Sequence, residues 1–241
     1  MKVKAITHTG MVRDLNEDSI LVLENDDYSL LVVADGMGGH NGGEVASEIA
    51  VNSIKMYVEN NFHAYSNIDE LVRDCILDAN KKIYKKALEN NNLKGMGTTI
   101  TLSVIFNNNI YIGHVGDSRA YILRGNKLTQ VTEDHSYINE LLKKGAITKE
   151  EAEIHPMKNL ITRAVGTDEY IVIDTYEKHL IGGDILIICS DGLTRHVSDD
   201  EILKIVKNRD NQAECLLNLA NERGGKDNIS IVIARKEEKD A

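Results

Sequence analysis

Four aspartates of this chain stand where strands should end. Asp35 closes the apolar run Leu30-Leu31-Val32-Val33-Ala34, Asp191 closes Ile185-Leu186-Ile187-Ile188-Cys189-Ser190, Asp117 follows Ile110 to Gly116, and Asp227 sits just before Ile229-Ser230-Ile231-Val232-Ile233. Carboxylates gathered at the edges of core strands repel. They tolerate one another only when cations neutralise them or when some stay protonated. An all-oxygen set suits a hard divalent ion, Mg²⁺ or Mn²⁺. Taken singly, each aspartate has a plain alternative as a turn residue.

The elements that must position them follow from the pattern of apolar and turn residues. Strands are expected over 3–8, 19–24, 29–34, 98–106, 109–115, 119–124, 127–131, 171–179, 184–190 and 228–235. Turn residues such as Asn107-Asn108, Arg124-Gly125-Asn126 and Gly182-Gly183 join several of them by short hairpins, which favours antiparallel pairing. Helices are expected in pairs, 43–60 with 68–90 and 199–207 with 211–223, and a further helical patch over 136–153. Ser198 with Glu201 and Thr148 with Glu151 have capping-box spacing. Segment 136–168 breaks the strand rhythm with polar residues, Gly145, Pro156 and Gly166, and reads as a flap over one sheet edge. Strands and helix pairs in this order suggest sheet layers with helices outside.

A chain of 241 residues with 42% hydrophobic residues is compatible with one large domain, 1–241. The net charge of -10 argues against nonspecific nucleic-acid binding, which needs a positive surface. No apolar run approaches the roughly 18 residues of a membrane span. The N-terminus lacks the apolar stretch of a secretory leader, so a cytoplasmic location is expected. Cys75, Cys189 and Cys215 have neither zinc nor CxxC spacing and are expected to be buried free thiols.

Seven ordered blocks then carry a family resemblance: Arg13-Asp14-Leu15-Asn16-Glu17-Asp18, Asp35-Gly36-Met37-Gly38-Gly39-His40, Gly97-Thr98-Thr99, Val115-Gly116-Asp117-Ser118-Arg119, Asp134-His135-Ser136, Ser190-Asp191-Gly192-Leu193 and Lys226-Asp227-Asn228-Ile229. The chain resembles the PP2C-type (PPM), metal-dependent protein serine/threonine phosphatases in their compact bacterial form, from about residue 5 to 236. The resemblance implies an α+β fold: a four-layer α-β-β-α sandwich of two antiparallel sheets flanked by helix pairs. It implies hydrolysis of phosphoserine and phosphothreonine by a metal-activated water at a binuclear Mn²⁺ or Mg²⁺ centre.

By the same resemblance, Asp35 would bridge two metals, the Gly36 carbonyl would ligate the second, and Asp191 and Asp227 would hold the first. Asp117, with Asp191, would hold a third, weaker ion; its alternative is a hairpin aspartate. Glu17 and Asp18 would bond metal-held waters from outside, which Mg²⁺ chemistry favours. Arg13 matches the arginine that clamps substrate phosphate, for which a guanidinium fork is suited; the alternative is a salt bridge to the acidic cluster. His40 stands three residues beyond the position of the animal-type general acid, where this chain has Met37, so acid and structural roles both stay open. His135 is read as structural, and Thr98 and Thr99 as residues that pack and hydrogen-bond at the opening of a strand.

A catalytically weak relative acting as a phosphoprotein-binding module is the alternative function; it would be favoured by missing ligands, and none is missing. A two-metal nuclease is disfavoured by the negative charge. Expected partners are phosphorylated proteins, including a Ser/Thr kinase, with the chain itself a monomer.

Overall fold

The computed structural model describes residues 1–38, 42–208 and 210–237. Strands β1 (Lys2–His8), β2 (Asp18–Glu24) and β3 (Ser29–Met37) lead into helices α1 (Gly42–Asn61) and α2 (Ile68–Glu89). Strands β4 (Gly97–Thr98), β5 (Ile100–Phe106), β6 (Asn109–Val115), β7 (Arg119–Arg124) and β8 (Lys127–Gln130) follow. Helices α3 (Tyr137–Lys143) and α4 (Lys149–Ile154) precede β9 (Asp174–His179) and β10 (Ile185–Cys189). Helices α5 (Asp191–Thr194), α6 (Asp199–Asn208) and α7 (Gln212–Glu222) lead to β11 (Ile229–Arg235).

One sheet has the order β1-β11-β10-β7-β8; the other runs β2-β3-β5-β6-β9, with β4 paired to the end of β3. Every pairing is antiparallel. Side-chain alternation makes the layers, because successive strand residues face opposite ways. On β3, Leu30, Val32 and Ala34 pack with α1 and α2, while Leu31 and Val33 face the other sheet. On β10, Ile185, Ile187 and Cys189 pack with α6 and α7, while Leu186 and Ile188 meet Leu31 and Val33 in the inter-sheet core. Both faces of these strands are buried, which is why they read as unbroken apolar runs. The four-layer sandwich is as expected.

Several details differ. The expected strand 98–106 is split at Thr99, which leaves the ladder to bond Asp35. The helical patch 136–153 is two short helices parted at Gly145, whose φ of 64° ends the first. The Thr148 capping box forms completely. At Ser198 the hydroxyl instead donates to Glu201 Oε2 (2.9 Å), so only the Glu201 half, reaching the Ser198 N–H at 3.1 Å, is made. The flap reading of 136–168 also needs trimming. Ala164 and Val165 are buried, Val165 bridges Thr98, and Gly166 N–H donates to Asn80 Oδ1 at 2.7 Å. The exposed part ends near Leu160. Cys75 and Cys189 are buried as expected, but Cys215 is partly exposed. Among the described residues no helix is long and apolar enough to cross a membrane.

Candidate metal centre

The ends of both sheets meet along one edge of the sandwich. Asp35, on β3, stands directly across from Asp18 on β2. Asp117 lies in the β6–β7 turn, Asp191 opens α5 directly after β10, and Asp227 precedes β11. The backbone at Asp35 is pinned from one side. Asp35 N–H donates to Thr99 Oγ1 (3.0 Å), and its carbonyl accepts from Thr99 N–H (2.8 Å) and Thr98 Oγ1 (3.0 Å). The two threonines make hydrogen bonds as expected, and their partner is the Asp35 backbone. Gly36 is required by close approach: a Cβ there would stand 2.1 Å from the Gly43 carbonyl oxygen and 2.4 Å from that of Glu17.

The loop carrying Arg13 and Glu17 is fastened by Asn228. Its Nδ2 donates to the carbonyls of Thr9 and Leu15, both at 2.9 Å, and its Oδ1 accepts Glu17 N–H at 2.8 Å. Ser190 Oγ donates to Asp18 Oδ2 at 2.8 Å. Neither Asn228 nor Ser190 carried a role in the sequence reading, although both sit inside matched blocks.

The carboxylates feel one another. Asp35 is pushed well above the usual range by burial, then by repulsion from Asp18, Asp191, Asp117 and Asp227. Burial pushes Asp18 up to about 7, against hydrogen bonds from Ser230 and Ser190. Burial, then Asp191, pushes Asp117 up to about 8. Burial also raises Asp191, against the nearby Arg195 charge, and raises Glu17. Glu17 Oε1, Asp18 Oδ1 and Asp191 Oδ1 are buried with no hydrogen-bond partner. Such oxygens are costly unless something positive meets them. Buried, mutually repelling and unpartnered oxygen donors fit hard divalent cations.

Two arginines reach into the cluster. Arg13 Nη2 lies 3.0 Å from Asp227 Oδ1 and 3.1 Å from Oδ2. Arg195 joins Asp191 to Asp227, bonding Asp191 Oδ2 through Nη2 and Asp227 Oδ2 through Nη1 at 3.1 Å. Among the described residues no three His, Cys, Asp or Glu side chains form a ready ligand set. Arg13 thus makes the salt bridge weighed as its alternative, while its side chain stays 47% exposed. Arg195 was missed; the available signal was its place four residues after Asp191 in a helical turn.

His135 locks the Asp117 turn. Gly116 N–H donates to His135 Nδ1 (3.1 Å), and His135 N–H donates to the Gly116 carbonyl (2.7 Å). Nδ1 accepts, so the ring proton is on Nε2, 3.2 Å from Asp174 Oδ2. This supports the structural reading of His135. His40 lies outside the described residues. Cys189 is no nucleophile, since burial pushes its thiol up to about 12.

A family model described as protein phosphatase 2C matches residues 10–224. The serine/threonine phosphatase stp of Listeria monocytogenes is 38% identical over 237 residues, covering 96% of this chain and 94% of that protein. A crystal structure of a bacterial serine phosphatase superposes with a TM-score of 0.92 at 38% identity, over 100% of both chains. The catalytic domain of the phosphatase PstP, in complex with two manganese ions, superposes with a TM-score of 0.85 at 34% identity, over 96% of both chains.

Proposed function

This chain belongs to the protein phosphatase 2C family and is a metal-dependent serine/threonine phosphatase, and from that premise we propose that it hydrolyses phosphoserine and phosphothreonine in proteins at a binuclear Mn²⁺ or Mg²⁺ centre. The observation that carries the reading is the Asp35 cluster: burial and then four other aspartates raise its pKa, and neighbouring buried oxygens have no partner. Asp35 and the Gly36 carbonyl would hold the ions with Asp191 and Asp227, and Asp117 would serve a third. Bound there, divalent cations supply Lewis acidity, activating water and neutralising phosphate charge.

The chain's own residues do the rest. Thr98 and Thr99 hold the Asp35 backbone, so its carboxylate enters the site on a rigid strand end. Glu17 and Asp18 offer unpartnered oxygens that accept hydrogen bonds from water in the site. Arg13, half exposed on a loop pinned by Asn228, orients the substrate phosphate through its guanidinium. His40 is the candidate proton donor to the leaving alkoxide. A cytoplasmic monomer acting on phosphoproteins, and opposing a Ser/Thr kinase, completes the proposal. The binding-module reading would need a missing carboxylate, and Asp35, Asp117, Asp191 and Asp227 are all present.

The test is phosphate release from a phosphothreonine peptide. EDTA should abolish it and Mn²⁺ or Mg²⁺ should restore it. Full activity in EDTA, or inhibition by thiol alkylation alone, would refute the reading.

A further inference from the structure

Arg195 is placed inside the carboxylate cluster. It ends the single turn opened by Asp191, and its two terminal nitrogens go to different carboxylates, Asp191 and Asp227. Its side chain is only 32% exposed. Asp227 has Arg13 as a second partner, whereas Asp191 is paired with Arg195. A guanidinium bridging two carboxylates is positioned by its planar fork, so it holds their separation as well as their charge.

We propose that Arg195 is a resident counter-cation of the Asp191–Asp227 pair, which holds the two carboxylates in place and which a divalent ion must displace to bind them. This rests on the reading of Asp191 and Asp227 as metal ligands. An ion entering between them meets the pair only in the fraction of molecules in which the guanidinium has swung away, so its apparent affinity is weakened by that fraction. Arg195 thereby sets the metal concentration at which the centre fills. It is a positioning residue, not one that touches substrate.

The experiment compares wild type with Arg195→Gln and Arg195→Lys by following free Mn²⁺ with electron paramagnetic resonance during titration, and by thermal unfolding in EDTA. Arg195→Gln removes the charge and keeps a shorter, polar side chain. It should bind Mn²⁺ about tenfold more tightly, the equivalent of losing one charge-assisted pair. It should also unfold at lower temperature in EDTA and regain wild-type stability in saturating Mn²⁺. Arg195→Lys, a point charge unable to bridge both partners, should fall between. It decides the matter if the glutamine variant does not fold in EDTA. Equal or weaker Mn²⁺ binding by the variants, with wild-type binding intact, overturns this inference alone. No Mn²⁺ binding by wild type overturns it together with the ligand assignment.

Discussion

Asp18 and Asp35 face each other as directly opposed residues of the β2–β3 ladder. Like charges in that position are destabilising. In EDTA, Asp35→Asn should therefore raise stability, by on the order of 1 kcal/mol. Urea unfolding would read this. The same variant should lose at least about a hundredfold in Mn²⁺-supported turnover, because the ligand is weakened. A variant both unstable and active would contradict the site.

Arg13 is paired with Asp227 yet half exposed. Arg13→Ala should raise KM for a phosphopeptide about tenfold, with a smaller change in kcat. Arg13→Lys should recover part of the loss. An unchanged KM with a lower unfolding temperature would leave the residue only its salt bridge.

His114 gives a pH prediction. It is buried; its Nε2 donates to the Glu133 carbonyl (3.0 Å) and its Nδ1 faces Thr101 Oγ1 (2.9 Å). Burial, then the neighbouring His135, pushes its pKa down to about 3, with Asp134 and Asp174 partly opposing. The unfolded chain therefore takes up a proton near the ordinary histidine value while the folded one does not. Stability from this group is full above that value and lost as pH falls toward 3. The stability gap between wild type and His114→Gln should narrow by about 1.4 kcal/mol per pH unit from pH 6 to 4. A constant gap would show that the folded imidazole is already charged.

The exposed part of the flap should govern choice among protein substrates. Substituting Lys143, Lys144, Glu150 and Glu151 should change rates on phosphoproteins several-fold and rates on a small aryl phosphate much less. Amide exchange should be fast over 143–160 but slow at Val165 and Gly166, which are tied to Thr98 and Asn80. Equal losses on both substrates would mean that the segment supports the metal site instead.

Much of this architecture is legible from local pattern. Doubly buried strands such as β3 and β10 announce themselves as apolar runs, and the turns between them are marked by Asn and Gly. The aspartates are legible because each ends or precedes such a run. What escapes is whatever depends on distant partners. Asn228 looks like a turn residue until Thr9 and Leu15 are brought to it. Ser190 looks like the tail of a strand until Asp18 arrives. Arg195 has a local cue in Asp191, but its second partner, Asp227, is set by tertiary packing. The flap was overdrawn because the polar residues around it hide the short buried stretch Ala164–Val165.

The last strand, β11, lies between the first and the tenth in its sheet. It is therefore an insertion, and the two residues just before it, Asp227 and Asn228, clasp the loop at Thr9 to Glu17. During synthesis the N-terminal half can assemble β2, β3, β5 and β6 with α1 and α2, but β1 must wait for a neighbour translated more than 200 residues later. Contacts of such sequence separation are slow to form. The edge that carries the proposed site thus comes together only after β11 has been made, and a chain truncated before β11 should show no partial activity.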